Sequence, residues 1–248
     1  GASLELDQLA AAFNDTFARL EGSFDQLKRF TADVSHELRT PLTALRTVGE
    51  VALRGSHDAD GYREVIGSML EEVDRLTRLT DELLTLARAD AGEAKLHKEP
   101  VDRGALAREV ASHLSVLAEE KEQALEVDAG PLNVEADRTV LRQALVNLAV
   151  NAIKYAPGRT RIRVVTGRQG GAAFLEVADE GPGIAPEHRE RIFERFYRVD
   201  KSRSREMGGT GLGLALVKWA AEAHGGRLEL ETEVGRGSTF RIVLPSAH

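Results

Sequence analysis

Residues 30–45 read FTADVSHELRTPLTAL and set His36 beside Glu37, with Thr40 one helical turn on and Pro41 directly after it. A neutral imidazole is a nucleophile that can attack phosphorus through one ring nitrogen while a carboxylate orients or deprotonates the other. A lone exposed histidine is more often a solvated surface residue, so the pair needs a setting before it means chemistry. One setting is zinc, because His-Glu opens the H-E-x-x-H pattern of metal-dependent proteases. The fifth position here is Thr40. The second ligand is missing, and that chemistry is rejected.

A second group of residues lies in LRQALVNLAVNAIKYAP, residues 141–157. Val140, Leu141, Ala144, Leu145, Leu148, Ala152 and Ile153 make an apolar stripe, while Gln143, Asn147 and Asn151 share another face, with Lys154 nearby. Asparagine is a mediocre helix former, so two in mid-helix are either an ordinary polar face or amide oxygens offered to a hard cation such as Mg²⁺. Next comes ADEGPGI, residues 178–184, with Asp179 ending a strand-like run. A carboxylate there can accept from the exocyclic amine of adenine, and Gly181 and Gly183 let backbone approach a flat ligand. The same D-x-G-x-G is often only a turn. Last, GGTGLGLALV at 208–217 is glycine-rich and then helical, so its first amides could bind phosphate. It lacks the G-K-[S/T] ending of a P-loop and the third glycine of a dinucleotide fingerprint. Taken alone it could be only a flexible helix entry.

These groups need elements to position them. Apolar residues keep a heptad beat from Leu6, in one row Leu6, Phe13, Leu20, Leu27, Val34, Pro41, Val48 and in another Ala10, Phe17, Phe24, Thr31, Leu38, Leu45. That pattern predicts a long bundle or coiled-coil helix with His36 at its outermost position. Pro41 is expected to weaken the helix beside the histidine and let it bend. RGSHDADG at 54–61 breaks the helix, and a second beat runs through Tyr62, Ile66, Met69, Val73, Leu76, Leu83 and Ala87. A two-helix hairpin must bury that stripe, and a second copy is the economical partner, making a four-helix bundle. Near 95–100 the period changes. Helices are expected over 103–120, over 137–155 with Asp137 as N-cap, and from the glycine turn to about Ala223. Strands are expected at TRIRVVTG, AAFLEVAD, GRLELETE and STFRIVLP, an α/β layer domain.

Bulk properties narrow the field. The 248 residues carry a net charge of −7, a poor surface for nucleic acid. With no cysteine there are no disulfides or thiolate metal sites, which fits a reducing compartment. No apolar run reaches the ~18 residues of a membrane span. The opening Gly-Ala-Ser, followed at once by a helical pattern, reads as a fragment cut from something longer on its N-terminal side.

The order of the runs resembles the sensor histidine kinases of two-component signalling. SHELRTP matches their H box, LVNLAVNAIKY the N box, DEGPGI the first glycine box, IFERFYR (192–198) the F box and GGTGLGL the second glycine box, with no departure in any of them. The resemblance spans about residues 24–245, and residues 4–22 are similar to the last helix of a HAMP signal-relay module. It implies a multidomain α and α+β fold. Residues 1–23 would be a HAMP-like helix, and 24–97 a helical hairpin that dimerises into a four-helix bundle. Residues 98–248 would be a GHKL (Bergerat) ATP-binding α/β sandwich.

By position, the resemblance makes His36 the phospho-accepting nucleophile and Glu37 its orienting partner or base. Asn147 and Asn151 lie by the phosphates, Asn151 as Mg²⁺ ligand; Lys154 and Tyr155 flank the nucleotide; Asp179 reads adenine beside Gly181 and Gly183. Arg198 neutralises charge on the transferring phosphate, and Gly209, Gly211 and Gly213 form the hinge of an ATP lid over roughly 199–210. Family members with E-x-x-T, here Glu37 to Thr40, are commonly bifunctional, which implies phosphatase action on the regulator; Thr40 could instead merely tolerate the position before a proline. The implied reaction is ATP-dependent autophosphorylation of His36 and transfer to an aspartate of a response regulator. It would occur in a homodimer on the cytoplasmic side of a bacterial inner-membrane protein, anchored through a missing N-terminal region. A GHKL ATPase that drives conformational change without phosphotransfer is the alternative, but such a protein has no reason to carry SHELRTP. A coiled-coil relay with a degenerate kinase domain is opposed by intact Asn151, Asp179 and box glycines.

Overall fold

The structure, a computed structural model, describes residues 2–55, 58–130, 133–200 and 209–245. The predicted lid segment and helix-breaking loop therefore fall partly outside the described residues, at 201–208 and 56–57, as do the side chains of the seam residues Leu6, Ala10 and Leu27. Two compact units divide the chain, Gly1–Leu79 and Thr80–His248.

The first unit is built on α1 (Ala2–Arg54) and most of α2 (Ala59–Asp90). Asp58 starts α2 by accepting from the Gly61 N–H at 2.8 Å, satisfying one of the donors a helix N-terminus leaves open. Pro41 does not break α1, which is continuous through it. A proline removes a single N–H from the ladder, and here its ring is buried rather than exposed. The heptad stripe is only partly covered within the hairpin. Met69 and Leu76 are half-buried, but Tyr62, Ile66 and Val73 remain exposed, as does Leu70 beside them.

The second unit begins inside α2, so the compact division comes earlier than the change of sequence period near 95–100. A five-stranded sheet of order β2-β4-β5-β7-β6 is made from Ala124–Ala129, Arg161–Gln169, Ala172–Asp179, Gly237–Leu244 and Arg227–Glu233. β2 and β4 run parallel and the other neighbours antiparallel. A small second sheet pairs β1 (Glu99–Asp102) with β3 (Asn133–Ala136). The four long strand-like runs of the sequence become β4, β5, β6 and β7. The three short strands were not legible: two have four residues each and gain their order by pairing with one another, and β2 alternates with acidic residues on a half-exposed edge.

Three helices pack on the sheet: α3 (Arg103–Glu119), α4 (Arg138–Tyr155) and α5 (Gly213–Ala223). Leu141, Leu145, Leu148 and Ile153 of α4 meet Ile162, Leu175 and Ile242 of the sheet in one core. Each such side chain contributes about 1.5–3 kcal/mol on burial, so α4 is firmly anchored on the sheet. Arg103 is wholly buried at the start of α3, donating from Nη1 to the carbonyls of Gly167 at 2.9 Å and Phe174 at 3.1 Å.

Candidate active site

Both ends of α4 are pinned. Asp137 is its N-cap, accepting from the N–H groups of Thr139 and Val140, and it also accepts from His97 N–H at 3.0 Å. Burial alone would push this carboxyl up, but the three backbone donors and nearby His224 outweigh it and hold its pKa below the usual aspartate value. His224, buried, takes the Asp137 N–H on Nε2 at 2.9 Å. At the other end, Lys121 Nζ donates to the carbonyls of Ile153 and Lys154 at 2.7 and 2.8 Å, and Gln123 Nε2 to those of Ala156 and Pro157 at 3.0 and 3.1 Å. These four side chains were missed in the sequence except for Asp137, because their partners lie across the fold.

A helix held in this way presents its amide row in a fixed direction. Gln143 Nε2 donates to Asn147 Oδ1 at 3.1 Å, and Asn147 Nδ2 donates to the Gly213 carbonyl at 3.3 Å. The asparagine helix and the second glycine run, far apart in sequence, are thereby joined. Asn151, the next member of the row, has no hydrogen-bond partner for its amide among the described residues. Nor do the described residues hold any cluster of three or more His, Asp or Glu able to cage a metal. Mg²⁺ typically takes one or two protein oxygens and completes its shell with phosphates and water, so a single open amide oxygen fits it better than a carboxylate cage would.

Asp179 ends β5 beside the loop 180–184. Burial pushes its carboxyl above the usual range, partly opposed by the N–H groups of Gly181 and Ser238. The Gly181 bond is 2.8 Å, and a Cβ on Gly181 would lie 2.5 Å from Asp179 Oδ1 and 3.5 Å from Ala156 Cα. Only glycine can pass between the carboxylate and the end of α4. Lys154 and Tyr155 lie at that same end, Tyr155 exposed. In the F-box run, Phe196 has a positive φ of 60° and donates to the Gly211 carbonyl at 2.9 Å; Gly211 itself has φ 75°. Arg198 follows two residues on, partly buried. The last turns of α2, which belong to this unit, reach the same segment: Asp90 receives both Nη atoms of Arg195 at 2.6 Å, and Glu82 accepts from Thr210 at 2.8 Å. Gly209, Gly211 and Gly213 thus lead from residues held by α2 into α5.

His36, Glu37 and Thr40 share α1 in the first unit. The imidazole is exposed, as its outermost heptad position predicts, and no described residue hydrogen-bonds to it. The contact between Glu37 and the ring is therefore not made in this conformation. Thr40 is exposed and its hydroxyl donates to the His36 carbonyl at 3.2 Å, a bond to backbone rather than to the ring.

Residues 26–92 match the family model described as the His Kinase A (phospho-acceptor) domain, and residues 136–248 the one described as histidine kinase-, DNA gyrase B-, and HSP90-like ATPase. The chain belongs to the sensor histidine kinases. The sensor protein IrlS of Burkholderia pseudomallei is 40% identical over 242 residues, which are 98% of this chain and 52% of that protein. The chain thus spans about half the length of such curated relatives. The solved histidine kinase AdeS of Acinetobacter baumannii is 27% identical with a TM-score of 0.72, over 86% of this chain and 98% of that one. Full-length ShkA, solved in complex with AMPPNP, is 34% identical with a TM-score of 0.66, over 87% of this chain and 45% of that one. The phospho-acceptor match takes in His36, Glu37 and Thr40, and the ATPase match runs from α4 to β7.

Proposed function

We propose that the chain transfers the γ-phosphoryl group of ATP to His36, passes it to an aspartate of a response regulator, and hydrolyses it from that regulator through Thr40. The observation that carries the reading is the exposed imidazole of His36, engaged by no described residue, in a chain whose second unit holds the Asp179 loop and the Asn147–Gly213 junction intact. Asp179 would accept from the adenine amine, with Gly181 and Gly183 allowing the base to lie against backbone. Asn147 keeps α4 against the start of α5, so that the N-terminal amides of α5 face the phosphates. Arg198 and Lys154 are the cations near enough in sequence to these elements to offset negative charge as the phosphoryl group leaves. Asn151 would hold Mg²⁺, which when bound would offset phosphate charge.

At the acceptor, one ring nitrogen of His36 forms the N–P bond as the bond from the γ-phosphorus to the bridging oxygen breaks and ADP departs. Glu37, adjacent on α1, is the group to take or hold the proton of the other nitrogen once a side-chain rotation brings it to the ring. A second copy of the chain is the partner that would cover Tyr62, Ile66, Leu70 and Val73. Relatives about twice as long support a further portion of chain, which we place N-terminal to this one and anchored in a bacterial inner membrane, with this chain on the cytoplasmic side; no described helix is itself long and apolar enough to cross a membrane.

The test is incubation with γ-labelled ATP. Acid-labile, alkali-stable label on the protein is expected, and His36→Gln should abolish it while binding ATP as the parent does. Label persisting on that variant would move the acceptor elsewhere, and release of free phosphate with no labelled protein would make the chain an ATPase.

A further inference from the structure

We infer that Thr232, on β6 and outside every glycine- or asparagine-rich run, is a positioning residue for the nucleotide loop, which makes the β6–β7 hairpin part of the ATP site. The inference rests on the reading of Asp179 and residues 180–184 as the adenine end of that site.

Residues 180–184 form neither helix nor strand, so something outside the loop must set its conformation. That something is the hairpin turn. Gly183 has φ 68°, and a Cβ on it would lie 2.1 Å from the Glu233 carbonyl oxygen, so the loop runs backbone against backbone along the turn. Hydrogen bonds flank this contact on both sides. Gly235 N–H donates to the Pro182 carbonyl at 2.8 Å, and Ile184 N–H donates to Thr232 Oγ1 at 2.9 Å. Thr232 Oγ1 donates in turn to the Gly237 carbonyl at 3.0 Å and lies 2.9 Å from Ser238 Oγ.

A hydroxyl has one proton and two lone pairs. With its proton on Gly237, both lone pairs of Thr232 are occupied, one by Ile184 N–H and one by the Ser238 hydroxyl. Its orientation is therefore single, and it ties three backbone segments together. The third segment is the one that matters for the ligand. Ser238 pairs with Asp179 across β7 and β5, and its N–H is one of the two donors to the Asp179 carboxylate. A Cβ on Gly237 would lie 1.9 Å from the Asp179 carbonyl oxygen. One side chain thus fixes the loop after Asp179 and the strand residues that hold Asp179 itself.

Thr232→Val keeps the shape and the β-branch but strips the donor and both acceptor sites, leaving Ile184 N–H without its partner. The ATP concentration for half-maximal labelling of His36 should rise about tenfold, with the maximal rate within about twofold of the parent. Thr232→Ser, which keeps the hydroxyl, should stay within about threefold of the parent on both measures. A stabilising turn residue with no role in positioning would lower the melting midpoint and leave this split unmoved. Parental ATP dependence in Thr232→Val, an equal loss in the serine variant, or a fall in maximal rate alone would each overturn the inference. Should the valine variant not fold, Thr232→Ala is read by equilibrium binding of a non-hydrolysable ATP analogue, with the same expected tenfold loss and the same overturning result. Asp179→Asn runs beside both. If it binds as the parent does, the reading of the loop falls and the inference with it; if it weakens binding while Thr232→Val does not, the inference alone falls.

Discussion

Asp179 carries opposite demands. Its burial raises the carboxyl pKa and so disfavours the charged form in the unliganded protein. The same charge makes it a strong acceptor for an amine, because a hydrogen bond to an ionised group contributes on the order of 1.5–3 kcal/mol. Asp179→Asn should therefore weaken ATP roughly ten- to a hundredfold, with a smaller loss for GTP, by equilibrium titration. Since a raised folded pKa gives stability that is present at low pH and lost as pH rises through the folded value, the neutral amide should leave the unliganded protein no less stable at neutral pH. On acidification the parent should begin to lose ATP affinity above the usual aspartate range, and the asparagine variant should lack that step. Thr40 offers a second residue-scale test. Its hydroxyl rests on the His36 carbonyl and is exposed, free to turn toward a water attacking an acyl phosphate. Thr40→Ala should keep labelling of His36 and transfer, yet slow phosphate loss from purified phospho-regulator by about tenfold or more. Dephosphorylation at the parental rate would make the residue structural.

At the scale of elements, α4 owes its placement to its ends as much as to its buried leucines. Asp137 joins the helix N-terminus, the His97 segment and α5 through His224. Removing its carboxylate in Asp137→Ala should cost about 1–2 kcal/mol and lower the melting midpoint by roughly 2–8 °C. The pKa of Asp137 is depressed in the folded protein, so its contribution is complete above the usual aspartate range and lost as pH falls through the depressed value. The difference between parent and variant should therefore shrink in acid, as melts across pH would record. A constant difference at every pH would mean that the carboxylate is not the stabilising group.

At the scale of the whole molecule, the hairpin exposes more apolar surface than its own two helices cover. Ile66 and Val73 are 55% and 44% exposed on α2, although both belong to the heptad stripe. Each is about half exposed and would add about 0.7–1.5 kcal/mol if fully covered by a second copy, and a buried unpaired charge at either position would reverse that gain. If the proposed homodimer forms through this face, the parent should sediment as a dimer and the double variant Ile66→Glu, Val73→Glu as a monomer. The variant should bind ATP unchanged, because every residue proposed for the nucleotide site lies in the second unit. Loss of ATP binding on disruption of the dimer would contradict that separation.

Local pattern sufficed for the long helices, the four long strands and the exposed position of His36, because heptad spacing, strand alternation and glycine turns act over a few residues. It also singled out Asn147, Asn151, Asp179 and the box glycines as candidates, since their types are costly or unusual where they stand. The heptad row also carried α1 through Pro41, as observed, but the burial of the proline ring was not legible, because the cost of one lost N–H is local and the burial is tertiary. Asn147 reads as one more polar residue until folding brings Gly213 to its amide, 66 positions away. Thr232 carries no signal at all, for a threonine is an ordinary strand residue. Only the pairing of β6 with β7, and the loop laid across their turn, gives its hydroxyl three partners at once.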